Sequence, residues 1–412
     1  MQQKKKDYFW NLVGTVLQSA LSPVLLIVVT QLNGIEASGL FSFAVSISVV
    51  FWAVSLWGGR TYQVSDVDKE FTAGGYFAVR AITSVIVLLS AVMFCILSGY
   101  DSSKTNLILL LVSFKITESF ADVMYGILQT HHRLYISGVS LMMKSVIGFG
   151  AFVAVNNLTG DLLLSSAALL LVNLIGMAFF DLPWVRRVGE RPRRLLKLRP
   201  HLRESLMIMR RTAPVFVVIF LTMFSLNIPR YFLDKYHPDQ IGYFGIMAMP
   251  ITLLGLLVSF IIQPNIVELS NLYNQGKIKQ FTRIVYRMLA ATLLLGLVAV
   301  GATYAVGVEV LNIVFSIQLA PFKWELIVMV IGAVATALLS IYINILIVMR
   351  RFKGACLNLF FTNLVLLLCS PMIIEPQAMM GAVGLFTGIS IIQVGLLAYL
   401  YTRHTHKRKK MV

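Results

Sequence analysis

Apolar runs of about 20 residues follow one another from residue 10 to residue 402 and leave this chain few ways to fold. Twelve are placed: 10–32, 39–58, 75–98, 106–128, 135–156, 162–183, 214–234, 242–266, 284–306, 325–348, 355–374 and 381–402. Each is long enough, as a helix, to cross a hydrocarbon core of roughly 30 Å. With 58% hydrophobic and 13% charged residues, the chain carries more apolar surface than a soluble core of this length hides. The alternating ten-residue segments of a β-barrel are absent. Helices are the open-ended elements that satisfy their own backbone in lipid. The expectation is an all-α integral membrane protein of about 12 transmembrane helices.

The charges set the topology. With the N-terminus inside, the segments on the cytoplasmic side hold 27 Lys/Arg and those outside hold three, Lys104, Lys235 and Lys323. Positive-inside bias then places both termini in the cytoplasm and requires an even number of spans. The net charge of +17 is read as this bias and not as a nucleic-acid partner. Lys4, Lys5 and Lys6 before an apolar run look like a signal peptide, but no small-residue cleavage site follows, so the run is taken as an uncleaved first helix. Cys95, Cys356 and Cys369 lie in apolar runs without metal or disulfide spacing, and His131-His132 is too slight for a metal site. No Walker loop, nucleophile elbow or metal-helix motif is present; neither ATP use, an enzyme's chemistry nor a cofactor is expected.

Ten Lys/Arg against two acids crowd residues 184–213, near the middle of the chain. Too polar to span, this stretch reads as a cytoplasmic linker. It divides an N-terminal six-helix lobe (1–183) from a C-terminal one (214–402), with a basic tail at 403–412. The lobes resemble each other. Glu36-Ala-Ser-Gly39-Leu-Phe41 opens the second span and Asp239-Gln-Ile-Gly242-Tyr-Phe244 the eighth, and at this offset the polar loop 59–73 overlays 262–276. A parallel repeat of this kind is a transporter architecture, with the substrate site between halves.

Charges within spans cost roughly 2.5–3.5 kcal/mol at a helix centre, so each needs a reason. The fourth span holds Lys115, Glu118 and Asp122, spaced to share a helix face, and the fifth holds Lys144. Two readings stand: a polar cavity in which Lys115 and Lys144 meet an anionic group while Glu118 or Asp122 carries a coupling ion, or a static ion-pair network joining spans four and five. Arg230, beside Pro229, is either a phosphate-binding guanidinium where the helix opens locally or an interfacial Arg snorkelling outward. Arg80, Arg287 and Arg60 each read as snorkelling cations; together they are a basic rim for an inward-facing cavity. Asp181 is taken as structural, a partner for Arg186 and Arg187. Pro23, Pro250, Pro264 and Pro371 are expected to break or bend their spans.

The opening NLVGTVLQSALSPVLLIVVTQLNGIEASGLFSFAVSI is similar to the first spans of polysaccharide biosynthesis membrane proteins, and NIPRYFLDKYHPDQIGYFGIMAMP resembles the start of their second half. These are the O-antigen and capsule repeat-unit flippases of the multidrug/oligosaccharidyl-lipid/polysaccharide (MOP) exporter superfamily. The resemblance covers the whole chain in layout and about 60 residues in detail. It implies a MATE-like fold of two six-helix lobes in the bacterial cytoplasmic membrane and no ATPase. It implies movement of an undecaprenyl-pyrophosphate-linked oligosaccharide to the outer leaflet, for O-antigen, capsule or exopolysaccharide synthesis. A cationic central cavity (here Arg230, Lys115 and Lys144), proton or sodium coupling, and work alongside a polysaccharide polymerase and glycosyltransferases follow from it too. The acids of the fourth span depart from a purely cationic cavity.

On the residues alone, a multidrug or small-solute antiporter of the same superfamily competes. It predicts acids dominating the cavity, whereas Lys115, Lys144 and Arg230 outnumber Glu118 and Asp122. A membrane enzyme of envelope synthesis would need a large polar outside loop, and the longest, 307–324, is short and mostly apolar. A non-transporting assembly subunit would lose stability, not transport, when these charges are removed.

Overall fold

A computed structural model describes residues 2–66, 70–189, 201–349 and 351–409. The described residues are helical almost throughout, as apolar sequence with an internally bonded backbone requires. The helices are α1 (Gln2–Leu56), α2 (Gly59–Ser65), α3 (Ala73–Ser98), α4 (Ser102–Thr130), α5 (Leu134–Thr159) and α6 (Leu162–Gly176). After α6 comes a π-helical turn, Met177–Asp181, and then α7 (Leu182–Arg187). There follow α8 (Leu202–Tyr236), α9 (Ile241–Met247), α10 (Met249–Asn274) and α11 (Ile278–Ala302). A second π-helical turn, Thr303–Gly307, leads to α12 (Val308–Phe315), α13 (Lys323–Val348) and α14 (Phe352–Lys409).

All twelve expected spans fall on these helices. Among the described residues nine helical stretches are long and apolar enough to cross a membrane. Two of them, α1 and α14, each hold two of the expected spans, and the remaining expected span falls on α4, 29 residues long with Lys115, Glu118 and Asp122 along its middle. The chain is a multi-pass membrane protein.

One of the expected proline breaks is found: the eighth span is interrupted at Ala248 (ψ −8°), between α9 and α10, two residues before Pro250. Pro23, Pro264 and Pro371 sit inside helices and Pro250 in the first turn of α10. The sharper interruptions are Gly34 (φ +87°) within α1 and Ala378 (φ +48°) within α14. A proline removes one hydrogen bond but keeps a helical φ, whereas a left-handed φ turns the chain outright. At Ala378 the turn is held from outside: the Gln240 side-chain Oε1 accepts from Met379 N at 3.0 Å, and His237 Nε2 lies 2.9 Å from Glu375 O.

Contacts divide the chain into two compact units, residues 1–220 and 221–412. In the first, α4 is the central helix, packed by α1, α2, α3, α5, α6 and α7. Helix α1 crosses α5 with backbone touching backbone. A Cβ on Gly14 would stand 2.2 Å from Gly138 O, and one on Gly138 the same distance from Trp10 O. Small residues bring membrane helices this close. In the second unit α13 is the most enclosed span, with 67% of its most apolar window buried, and it packs against α10, α11 and α14.

The polar segments differ from expectation in one direction: helix replaces loop. Of the basic linker, Trp184–Arg187 finishes α7 and Leu202–Ala213 belongs to α8, while 190–200 lie outside the described residues. The stretch 262–276, expected as a loop overlaying 59–73, is helix to Asn274. The loop expected over 267–283 contracts to Gln275-Gly276-Lys277, with Gly276 at φ +73°. Polar residues do not end a helix that has left the membrane, because its hydrogen bonds remain internal.

Candidate functional site

The intramembrane charges of the first unit are all gathered around α4, in three tiers. At the first, Lys115 Nζ meets Glu118 Oε2 at 2.7 Å, one turn apart on the same helix. The second Glu118 oxygen accepts from Gln18 Nε2 of α1 at 3.0 Å, and the ammonium lies 5.4 Å from the Trp52 ring centroid. Glu118 is 7% exposed and Lys115 15%, so this pair is largely dehydrated.

Arg80 of α3 occupies the second tier. Its Nη2 is 3.4 Å from Asp122 Oδ2. The rest of the guanidinium is spent on backbone: Nε donates to Ser119 O at 3.2 Å, and Nη1 to Ser55 O at 3.4 Å and to Leu56 O. Ser55 and Leu56 end α1, where carbonyls have no helical donor, and Arg80 supplies one. Its side chain is 4% exposed. The snorkelling expected of Arg80 is therefore corrected: a fork of five donors facing unpaired carbonyls holds it inside.

The third tier joins α4, α5 and the π-helical turn after α6. Lys144 Nζ forms an ion pair with Asp181 Oδ2 and donates to Tyr125 Oη at 3.1 Å. Ser140 Oγ donates to Asp181 Oδ1 at 2.5 Å and lies 2.9 Å from Tyr125 Oη. Asp181 is fully buried and Lys144 9% exposed. The Lys144 stem lies on Gly176, where a Cβ would come within 2.9 Å of it. Pairing of Asp181 with Arg186 and Arg187 is thus overturned; both arginines are exposed, and the turn Met177–Asp181 aims the carboxylate inward.

Between the first and third tiers is a cavity of about 20 Å³, lined by Gln18, Glu118, Tyr125, Lys144, Ser145 and Asn173 among others. That is room for one water. Asn173 Oδ1, buried at its wall, has no hydrogen-bond partner among the described residues.

In the second unit Arg230 is half-buried on α8, its guanidinium 5.2 Å from the Phe244 ring centroid. Asp234, one turn further on and 5% exposed, is its electrostatic partner. Helix α8 runs through Pro229 without the expected opening. The residue that loses its donor there is Ser225, whose own hydroxyl accepts from Gln393 Nε2 at 3.0 Å. Gln393 also donates to Thr362 Oγ1 at 2.9 Å, in a buried neutral cluster that includes Asn358 and Asn363. Arg287 is exposed on α11 and Arg60 half-buried on α2; neither belongs to these tiers.

Sequence reasoning named the cations and missed most of their partners. Gln18, Tyr125, Asp181 and Asp234 carry no local signal, since a Gln, a Tyr or a span-end Asp is ordinary in a membrane helix. With Asp181 and Asp234 counted, the excess of three bases over two acids disappears.

No family model matches the chain. It is 22% identical over 404 residues to the capsular polysaccharide biosynthesis protein CapF of Staphylococcus aureus, covering 96% of this chain and 98% of that protein. In structure it is similar to a multidrug resistance MATE family transporter of the MOP superfamily in an inward-facing conformation (TM-score 0.70, 13% identity, 97% of this chain and 99% of that one). The outward-facing conformation of a multidrug resistance MATE family transporter of the same superfamily gives 0.64 at 12% identity, over 99% and 97%. The chain has the MATE-like membrane fold.

Proposed function

We propose that this protein is a transporter of the bacterial cytoplasmic membrane that flips an undecaprenyl-pyrophosphate-linked oligosaccharide to the outer leaflet by alternating access. The observation that carries the reading is similarity over nearly its whole length to a capsular polysaccharide biosynthesis protein, on a chain with a transporter's fold. The physical task is consistent with it. A pyrophosphate-sugar head cannot enter hydrocarbon alone, whereas its polyprenyl tail stays in lipid.

Lys115, Lys144 and Arg230 are the cations proposed to meet the head. Lys115 and Lys144 are held by acids, so their charge becomes available only when a carboxylate is neutralised or displaced. What supports this role for Glu118 is that it bridges Gln18 and Lys115 and borders the water-sized cavity. A proton or cation arriving at Glu118 frees the Lys115 ammonium for phosphate, which ties substrate binding to a coupling ion. Asp122 is the second coupling candidate.

The acids found beside these cations, Glu118, Asp122, Asp181 and Asp234, are the observation behind a second reading, an ion-coupled multidrug antiporter. One experiment separates them. Lys144→Ala and Arg230→Ala should block accumulation of outward-facing lipid-linked sugar in cells while the protein still reaches the membrane. Normal translocation in both variants overturns the assignment, and uptake of cationic drugs by the wild type in proteoliposomes, without lipid-linked sugar transport, establishes the antiporter.

A further inference from the structure

The first turns of α11 carry a feature that the buried tiers do not use. Lys279, Arg283 and Arg287 stand at intervals of four residues, and all three are exposed. By hydropathy two of them fall in a loop and one in a span; with α11 starting at Ile278 they become one cationic stripe about 12 Å long. Among the described residues no acid pairs with any of them. Thr282, Tyr286 and Ala290 share this open face of the helix.

The same face continues into hydrocarbon. Beyond Tyr286 (57% exposed) come Leu293, Leu294, Leu297 and Val298, at 47–71% exposure. From Tyr286 to Val298 is about 18 Å along the helix, close to half of a roughly 30 Å hydrocarbon core. Cations lead, an aromatic sits where headgroup meets chain, and an apolar strip of one leaflet's depth follows. This sequence of surfaces has the shape and polarity of one phospholipid.

We propose that the α11 face is a binding site for an anionic phospholipid of the cytoplasmic leaflet. Its phosphate lies among Lys279, Arg283 and Arg287, and an acyl chain lies along Leu293, Leu294 and Leu297. The charge complementarity is one-sided: three cations without a protein counter-ion ask for a negative headgroup, and each contributes about a fivefold preference near an anionic membrane surface.

The full-length protein in nanodiscs of phosphatidylcholine with a minor fraction of phosphatidylglycerol tests this, with bound lipid counted by native mass spectrometry. Retention of phosphatidylglycerol over phosphatidylcholine is expected in the wild type. It should fall about fivefold for each of K279Q, R283Q and R287Q, and cumulatively in the triple variant. The control R186Q/R187Q removes two exposed charges from α7 and should leave the preference unchanged. Leu297→Gln should weaken retention of phosphatidylglycerol, and excess inorganic phosphate should not displace it from the wild type, which separates a seated lipid from a simple phosphate site; displacement by phosphate overturns the proposal. Equal retention in the triple variant and wild type overturns the proposal, as does an equal loss in the control. Displacement of phosphatidylglycerol by polyprenyl pyrophosphate at equal concentration also overturns it, since the stripe would then belong to the transported substrate. A folded triple variant, checked by its thermal transition, is the condition for reading any of these.

Discussion

Replacing Lys144 by methionine tests whether the third tier is one coupled unit. Methionine keeps an unbranched stem over Gly176 and removes the ammonium that faces Asp181. The carboxylate is left fully buried with only the Ser140 hydroxyl, at 2.5 Å, still donating to it. Breaking one partner out of a buried ion pair costs about 3–5 kcal/mol. The remaining short hydrogen bond puts the expected loss near the lower end, about 3 kcal/mol. Asp181→Asn alone strands the ammonium instead, but Lys144 is a little exposed and keeps Tyr125, so about 2 kcal/mol is expected. The double variant carries no unpaired charge and should be more stable than Lys144→Met alone. Equilibrium unfolding of the four proteins in detergent closes the cycle. A coupling energy of about 2 kcal/mol or more supports the tier; losses that add within about 0.5 kcal/mol would show that the two groups do not depend on each other and would refute the reasoning.

The other expectations are independent of that pair. Arg80→Lys keeps the charge but cannot serve Ser55, Leu56, Ser119 and Asp122 together, and should lose about 2 kcal/mol in the same unfolding assay. Gly138→Val drives a side chain into the Trp10 backbone at the α1–α5 crossing; the yield of folded protein after size-exclusion chromatography should drop severalfold, whereas Gly150→Val, with open space at its Cβ, should not change it. Glu118→Gln preserves a partner for Gln18 and should stay within about 1 kcal/mol of wild type. Under the proposed coupling its translocation, followed in vesicles with an imposed pH or sodium gradient, should no longer respond to the gradient.

The sequence made the architecture readable because lipid imposes a strong grammar. A span needs about 20 apolar residues and cations gather on one side, so twelve spans and their order follow without tertiary information. Lys115, Glu118, Asp122, Lys144, Arg80 and Arg230 stood out for the same reason, as costly residues in an apolar setting. What they touch did not stand out. Lys144 and Asp181 are 37 residues apart on different helices, and no spacing rule brings them together. The two readings offered for the fourth and fifth spans were also too coarse: Asp122 belongs with Arg80 of the third span, and Lys144 with the end of the sixth. Pro250 does mark a break, but Pro23, Pro264 and Pro371 misled because helices in lipid tolerate a missing hydrogen bond, and the sharper turns depend on φ values at Gly34 and Ala378 that composition does not announce.

The π-helical turn at Met177–Asp181 has a consequence for the length of the chain. A π-turn accommodates one residue more than regular α-helix does over the same rise. Were one residue deleted between Met177 and Phe180, the turn would relax to α-helix with its flanking segments near their present places, whereas one residue added elsewhere in α6 would swing everything after it by about 100° about the axis. Asp181 would then leave Lys144, and Val185, now fully buried, would turn with it. The Lys144 ion pair is therefore encoded as much in a count of residues as in their identity. An added residue in α6 should therefore do more harm than a deletion within the turn, and more than most substitutions of Ala178 or Phe179.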